Sequence, residues 1–414
     1  MHLYLLPMLF MLIGLTMYTV LGGADFGAGF WQLTAGRGAD ATRIRDQAHR
    51  AIGPVWEANH VWLIFVITAA WTAYPVAFAS IATTLSVPLF IAAVGIVLRG
   101  AAYALRSGAM SSSETRAIDT LFACSSILTP FALGTVVGAI ASGRVPVGNA
   151  AGNLITSWLN PTSILIGALA VATGAYLAAV YLAADAVRFG DPWLARAFRA
   201  RALIAGVGAG AIAIAGLAVL HSDARAVYRQ LVAGRALPAL AVSIASGITA
   251  LALVSRRRYE PARYTAALAV AAIIAGWALA REPIILPGLT LARAAAPHDT
   301  LVLVVAAVLA GAAILFPSLA LLFRLVLHGR FDPNAPEALQ SKPLGLIPFS
   351  VSQPGLLARS TAACLIAGIG LLTVANAAWA HAVGVVALFG FIALGFIALA
   401  PTEIAAAGSG DQPE

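Results

Sequence analysis

The sequence predicts an all-α polytopic membrane protein, and two observations support this. Of its 414 residues, 61% are hydrophobic and only 10% are charged, whereas an average soluble domain is about 25% charged. The apolar runs are long rather than alternating, and a helix needs about 20 such residues to cross a bilayer. Because backbone polar groups must be satisfied within hydrocarbon, these runs predict helices and not barrel strands.

Apolar segments predict spans along nearly the whole chain. In order they lie near residues 4–27, 57–79, 81–105, 118–141, 161–187, 202–220, 237–255, 264–281, 300–327, 360–378 and 380–400. The first segment lacks a basic leader, so we interpret it as a retained span and not a removed signal peptide. A polar, proline-rich stretch precedes the last two segments. We therefore expect a transmembrane domain over 1–327, a connector over 328–359, and a hairpin with a tail over 360–414.

The basic residues predict the orientation. With the amino terminus outside, the inner connections hold 18 Lys and Arg residues and the outer ones hold 6, and an excess of these residues marks cytoplasmic loops. The sequence thus predicts a multi-pass protein of the inner (plasma) membrane with its N-terminus outside. The net charge of +8 is explained by these topology signals, so no nucleic-acid partner is predicted.

A small set of polar residues lies at the ends of the first three predicted spans. The first span ends near Asp25, and the second begins with Glu57, Asn59 and His60 in the sequence "IGPVWEANHVW". Glu57 and His60 are three residues apart and so share a helix face, and Arg99 closes the third span. Asp25, Glu57 and His60 are expected at one depth, near the cytoplasmic face. Arg99, and Asp185 at the end of the fifth predicted span, should reach the same level, and Asn59 adds a neutral donor and acceptor.

Two readings of this set remain open. In a structural reading, Glu57 complements the positive end of its helix, Asp25 pairs with Arg99, or the groups reach water at the interface. In a functional reading, the set forms a proton path or a polar substrate site, because ionisable groups inside membranes are functional candidates by default. A histidine in series with carboxylates can exchange protons near neutral pH.

The remaining candidates are aromatic residues and histidines. Trp56, Trp62 and Trp71 predict either an interfacial belt or contacts to a quinone or a partner. No two histidines are placed to face each other across a bundle, as bis-histidine haem ligation requires, so this chain alone is expected to bind no haem and no metal.

Several longer motifs resemble one family. "GGADFGAGFW", "IGPVWEANHVWLI", "AYPVAFAS" and "LRGAAY" occur in that order, followed by "AREPIILPGLTLARAAAPHDTL" and "LFPSLALLFRLV". Together they resemble subunit II of the cytochrome bd-type quinol oxidases over roughly residues 1–327. The resemblance implies two four-helix bundles plus a peripheral helix, which accounts for about nine of the predicted spans and leaves a C-terminal two-helix extension.

The resemblance also implies function and partners. In that family a haem-bearing subunit I carries haems b and d and the quinol site, and subunit II completes the heterodimer and contributes a polar path for protons. The expected partners are therefore subunit I, the quinol pool and membrane lipid; a structural quinone in this chain is left open. Asp25, Glu57 and Arg99 match the family pattern, with no catalytic residue in this chain.

Three positions depart from the family pattern. Gly22 stands where the family has a first acid, Glu57 replaces the usual Asp, and His60 replaces a Gln or Glu. These departures leave one alternative of a different class, a stand-alone proton-coupled secondary transporter. Transporters place their sites near the midplane within inverted repeats, whereas these acids lie toward one face, which favours the oxidase subunit.

Overall fold

The computed structural model describes residues 3–108, 111–327, 354–374 and 377–399. For some residues within these ranges the backbone is described but the side chain is not; these are 50–58, 107, 112, 319–327, 354–358, 372–374, 378 and 395–399. The described part is almost wholly α-helical; its one sheet is a short antiparallel hairpin of β1 (Ile284–Leu286) and β2 (Leu289–Thr290).

The helices follow one another with short connections. The first seven are α1 (Leu5–Leu33), α2 (Ala39–Ala73), α3 (Pro75–Thr84), α4 (Ser86–Leu105), α5 (Ser112–Ala141), α6 (Pro161–Arg188) and α7 (Pro192–Asp223). The others are α8 (Arg225–Ala233), α9 (Leu237–Ser255), α10 (Tyr259–Arg281), α11 (Leu291–Ala294), α12 (His298–Leu327), α13 (Pro354–Val374) and α14 (Ala378–Leu399).

Among the described residues, eight helices are long and apolar enough to cross a membrane: α1, α4, α5, α6, α7, α9, α10 and α12. Each coincides with a predicted span, so the expectation of an all-α polytopic membrane protein is confirmed. The predicted spans at 360–378 and 380–400 fall on α13 and α14, whose described apolar stretches are shorter.

The second predicted span, at 57–79, is wrong as a single helix. Helix α2 ends at Ala73, and α3 begins at Pro75 after Tyr74, whose φ of −137° is not helical. Proline has no N–H to donate and disfavours helical backbone in the residue before it, so the helix stops although the apolar composition continues. The predicted start of the third span at 81 is also wrong, because α4 begins at Ser86.

Several helices begin well before their apolar segments. Helix α7 starts at Pro192, ten residues ahead of the predicted span, because Asp191 caps it: Asp191 Oδ1 accepts from the backbone N–H groups of Trp193 at 3.1 Å and Leu194 at 3.0 Å. Helix α5 begins with a capping box in which the Ser111 hydroxyl accepts from the Glu114 N–H. Because of these caps, both helices include polar residues that precede the apolar segment, and a search for apolar segments does not detect them.

The spans pack in two sets of four helices. One set contains α1, α2, α4 and α5, and the other contains α6, α7, α9 and α10; helix α6 contacts both α1 and α5 and so joins the sets. Leu177, Val180 and Ala183 of α6 are fully buried in the largest hydrophobic cluster. This central position of α6 holds the first set against the second.

The chain divides into two compact units, Met1–Pro317 and Ser318–Glu414. In the second unit α13 and α14 pack against each other. Of the polar connector predicted at 328–359, residues 328–353 lie outside the described residues, and the last six belong to α13. The predicted domain boundaries at 327 and 360 stay predictions.

Candidate functional site

Among the side chains that the structure describes, the most buried charges are those of Asp25 of α1 and Arg99 of α4, which are 0% and 1% exposed. Arg99 Nη1 donates to Asp25 Oδ2 at 2.7 Å, and Nη2 donates to Oδ1 and, at 3.1 Å, to the Asp25 backbone carbonyl. Arg99 Nε donates to Ser126 Oγ of α5 at 2.9 Å. All three guanidinium nitrogens therefore donate hydrogen bonds, and Arg99 connects α4 to α1 and α5.

Two aromatic rings enclose this ion pair. The Arg99 guanidinium carbon lies 4.8 Å from the ring centre of Phe26 and 4.5 Å from that of Phe122. An arginine over an aromatic face gains about 2 kcal/mol when it is desolvated. The rings thus compensate part of the cost of burying the charge and keep bulk water away from it.

Small residues allow the helices to approach closely enough to bury the pair. A Cβ on Gly29 of α1 would clash with the Ser126 side chain of α5, and a Cβ on Gly95 of α4 would clash with Thr129 Oγ1. Gly95 lies one turn before Arg99, and Gly29 one turn after Asp25. Close contact on both sides of the pair therefore depends on positions without a side chain.

Asn59 of α2 lies beside this pair. Its side chain is fully buried, and neither amide atom has a hydrogen-bond partner among the described residues. A Cβ on Gly22 would lie 3.0 Å from Asn59 Nδ2, and Gly22 is one turn before Asp25 on α1. Gly22 thus stands where the family pattern has an acid, and the amide of Asn59 at the same level has no hydrogen-bond partner among the described residues.

Two hydroxyl groups in this region are also buried without a partner among the described residues, those of Tyr18 and Thr129. Tyr18 lies two turns before Asp25 on the same face of α1. Thr129 lies one turn after Ser126 on α5, which runs antiparallel to α1. Tyr18, Asn59 and Thr129 therefore lie on one side of the ion pair, toward the amino-terminal half of α1.

Buried polar atoms normally have partners, either protein groups or ordered water. Three unsatisfied polar side chains within a few turns of a buried ion pair therefore form a polar region inside an apolar bundle. Such a region suits water molecules that make two to four hydrogen bonds each. The arrangement can hold fixed charge and a short hydrated path.

The other predicted site residues are placed less fully. Asp25 and Arg99 are in contact, as the structural reading of the set expects, and the predicted depth near the cytoplasmic face stays a prediction. His60 is half-buried and, like its neighbours, lies on α2; the side chains of Glu57 and Trp56 lie outside the described residues. The predicted pairing of Glu57 with His60 on one face is therefore not tested.

The two remaining tryptophans occupy different environments. Trp62 is 6% exposed and contacts Phe65 edge-on at 6.3 Å between ring centres. Trp71 is 65% exposed and stacks on Phe78 at 6.2 Å. Their role as quinone or partner contacts stays a prediction.

Sequence reasoning missed the neighbours that complete the site, namely Tyr18, Phe26, Phe122, Ser126 and Thr129. The serine pair in "LFACSSILTPF" was the available signal, since a hydroxyl in an apolar span needs a partner. Within the described part of the chain, no group of three or more His, Cys, Asp or Glu residues is arranged to hold a metal ion.

Comparisons with known proteins agree on one family. Residues 3–326 match the family described as cytochrome bd terminal oxidase subunit II. A segment of 150 residues is 28% identical to cytochrome bd ubiquinol oxidase subunit 2 of Bacillus subtilis (strain 168), covering 36% of this chain and 43% of that protein.

A second protein of the same organism, a putative cytochrome bd menaquinol oxidase subunit II, is 31% identical over 71 residues, which is 17% of this chain and 20% of that protein. The matched segments thus span less than half the length of these curated relatives. Among solved structures, the bd oxidase from Geobacillus thermodenitrificans has a chain with the same fold: the TM-score is 0.66 at 24% identity, covering 80% of this chain and all of that one.

Proposed function

Because the chain belongs to the cytochrome bd terminal oxidase subunit II family, we propose that it is the haem-free subunit of a bd-type quinol:oxygen oxidoreductase. In this role it assembles with a haem-bearing subunit I in the plasma membrane. The names of the curated relatives, both of them subunits of quinol oxidases, support the proposal. The stand-alone transporter alternative finds no support in the comparisons.

The proposed roles of the two subunits are those that the resemblance to the family implies. Haems b and d, which reduce oxygen, reside in subunit I, together with the quinol site. This chain supplies packing surface and a route for the protons that oxygen reduction consumes. With the N-terminus outside, the route opens on the cytoplasmic side, where 18 of the Lys and Arg residues are predicted to lie.

The single observation that carries the proton path is the buried Asp25–Arg99 pair with unsatisfied polar groups beside it. Both Asp25 oxygens accept hydrogen bonds from one guanidinium, so Asp25 serves as a fixed charge and not as the carrier. Its role is to orient water held by Asn59 and neighbouring hydroxyls.

Glu57 and His60 are the proposed carriers. Both residues belong to α2 and lie close in sequence to Asn59, whose amide nitrogen lies near Gly22 of α1. Imidazole and carboxyl groups in series can pass protons at neutral pH. The path therefore leads from Glu57 and His60 past Asn59 to the water ordered by Asp25 and Arg99.

Co-expression tests the assembly part of this proposal. The tagged chain is purified alone and together with a subunit I of a bd-type oxidase from the same organism, and haem absorbance is recorded for both. We expect a stable two-subunit complex with haem spectra, and no Soret band from the chain alone. A Soret band stoichiometric with the isolated chain, or failure of the two chains to co-purify, would overturn the proposal.

A further inference from the structure

A groove on the surface of the first unit is lined by other residues than those of the ion pair. It has a volume of about 530 Å³ and is formed by α1, α5, α6 and α7. Its floor and walls are small or apolar side chains, among them Phe131, Ala172, Ala205 and Gly208. Ile204 on its rim is 73% exposed, so the groove opens to the surface of the bundle and not to its core.

The groove has one cationic end. Arg201 precedes the lining residues Ile204, Gly208 and Ile212 at helical spacing, so it shares their face of α7. Its guanidinium carbon lies 5.8 Å from the ring centre of Trp31, and Trp31 itself lines the groove. The Trp31 ring is fixed by its Nε1–H, which donates to the Ala175 carbonyl at 2.8 Å.

Arg201 retains hydrogen-bonding capacity. Its Nη1 donates to the Ala197 carbonyl of its own helix at 3.1 Å, and it forms no ion pair with any described residue. Arginine presents five N–H donors in a planar fork that matches phosphate. Arg201 thus places a cation with unused N–H donors at one end of an apolar groove, which suits an anionic group at that end.

The length of the groove fits one leaflet. From Arg201 to Ile212 the helix rises about 16 Å at 1.5 Å per residue, and half of a hydrocarbon core of about 30 Å is about 15 Å. The only lining hydroxyl, that of Thr34, already donates to the Phe30 carbonyl at 2.9 Å. The interior of the groove therefore suits an acyl chain and offers nothing to a polar ring.

We propose that this groove is a binding site for an anionic phospholipid, with one acyl chain along α7 and the phosphate at Arg201. Basic positions between transmembrane helices bind anionic head groups, and each Lys or Arg near the surface contributes about 1 kcal/mol. This inference is independent of the oxidase assignment, because it rests only on the groove and on Arg201.

Glycines on α7 provide a matched pair of variants. A Cβ on Gly208 meets nothing within 4 Å, and the same holds for Gly210. Gly208 lines the groove, whereas Gly210 is two residues away and projects to the other side of the helix. Gly208→Leu should fill the groove without a clash, and Gly210→Leu adds the same side chain elsewhere.

The charge has a matched control as well. Arg201→Gln removes the cation at the end of the groove, and Arg196→Gln removes an exposed one five residues earlier, whose Nε bonds only within its own helix at 3.3 Å. All four variants of the full chain are purified, delipidated and titrated with dioleoylphosphatidylglycerol. Bound lipid is counted by native mass spectrometry, with dioleoylphosphatidylcholine as the neutral comparison.

We expect one phosphatidylglycerol per wild-type chain, bound more tightly than phosphatidylcholine. Arg201→Gln should weaken phosphatidylglycerol binding about fivefold and abolish the preference over phosphatidylcholine, and Gly208→Leu should remove both lipids from the site. Gly210→Leu and Arg196→Gln should bind like the wild type. Equal binding by all variants, or a quinone or partner helix found in the groove in place of lipid, would overturn the proposal.

Discussion

Two carboxylate–guanidinium pairs connect helices within the two sets of four, and they differ in burial. Asp25–Arg99 in the first set is 0% and 1% exposed, and Asp185–Arg263 in the second is 24% and 22% exposed. Both aspartates follow an alanine near the end of a span, in "GGADFG" and "LAADAV". The same Ala-Asp dipeptide thus occurs in one enclosed pair and in one that water can reach.

The surroundings explain the difference. Arg99 is enclosed by Phe26 and Phe122 and bonds a third helix through Ser126. Arg263 instead lies near its own helix end, donates to the Tyr181 carbonyl at 2.8 Å and lies 3.6 Å from Glu260. A buried pair is costly to break but contributes little net stability, because the cost of desolvation offsets the attraction between its charges.

The largest expected effect comes from breaking the buried pair. Arg99→Met leaves the Asp25 carboxylate without a partner in an apolar site, which should cost about 3–5 kcal/mol of stability. Thermal unfolding in detergent measures the loss. Adding Asp25→Leu to Arg99→Met removes the isolated charge and should restore most of the stability, so a double variant as unstable as the single one would show that charge burial is not the cause.

The next effect tests the close helix contact that encloses the pair. Gly95→Ala places a Cβ against Thr129 Oγ1, and such overpacking costs about 1–3 kcal/mol. Thr129→Ala removes that oxygen, so the two changes together should be less destabilising than Gly95→Ala alone. Gly210→Ala, which meets nothing within 4 Å, is the control and should be neutral; an equal loss there would refute the packing argument.

Breaking the partly exposed pair of Asp185 and Arg263 should lower the stability less. Arg263→Met leaves Asp185 accessible to water, so the expected loss is about 1 kcal/mol, near the upper end for exposed pairs. The same unfolding measurement compares it directly with Arg99→Met. If both substitutions lower the stability equally, burial does not determine how much it costs to break each pair.

The smallest effect is expected at the surface pair of Asp191 and Arg43. The pKa of Asp191 is lowered, first by the hydrogen bond from the Leu194 N–H and then by Arg43 and the Trp193 N–H. Because the pKa is lower in the folded chain, the stabilisation is complete above the unfolded value of 3.8 and is lost as the pH falls through the folded value.

Asp191→Asn keeps a good capping residue but cannot titrate. Its unfolding temperature should therefore fall less between pH 5 and pH 3 than that of the wild type, by a small margin. An identical fall in both proteins would show that Asp191 contributes nothing to the pH dependence.

The sequence predicted more of the fold than of the site. Composition and apolar length predicted the spans at α6 and α9 closely, because hydrocarbon leaves the backbone few alternatives. The break at Tyr74 was missed because composition does not change there, and the early start of α7 was missed because a cap and not hydropathy decides it.

At the site, the sequence identified Asp25, Asn59 and Arg99 because charge and amide groups are rare in spans. It could not identify Phe122, Ser126 or Thr129 as their neighbours, since that depends on the contact of α5 with α1 and α4. Nor could it separate the enclosed Asp25 from the accessible Asp185, since each follows an alanine near the end of a predicted span.

The central claim is that this chain carries protons past a fixed buried charge, and quinol-driven oxygen consumption tests it most directly. The rate is measured for the assembled complex with Glu57→Gln, and with Glu57→Asp as the matched control, at several pH values. The proposal predicts a loss of about tenfold or more for Glu57→Gln, since positioned acid–base groups contribute about 10²- to 10⁴-fold, and near-normal turnover for Glu57→Asp. Normal turnover of a normally assembled Glu57→Gln complex would contradict the claim.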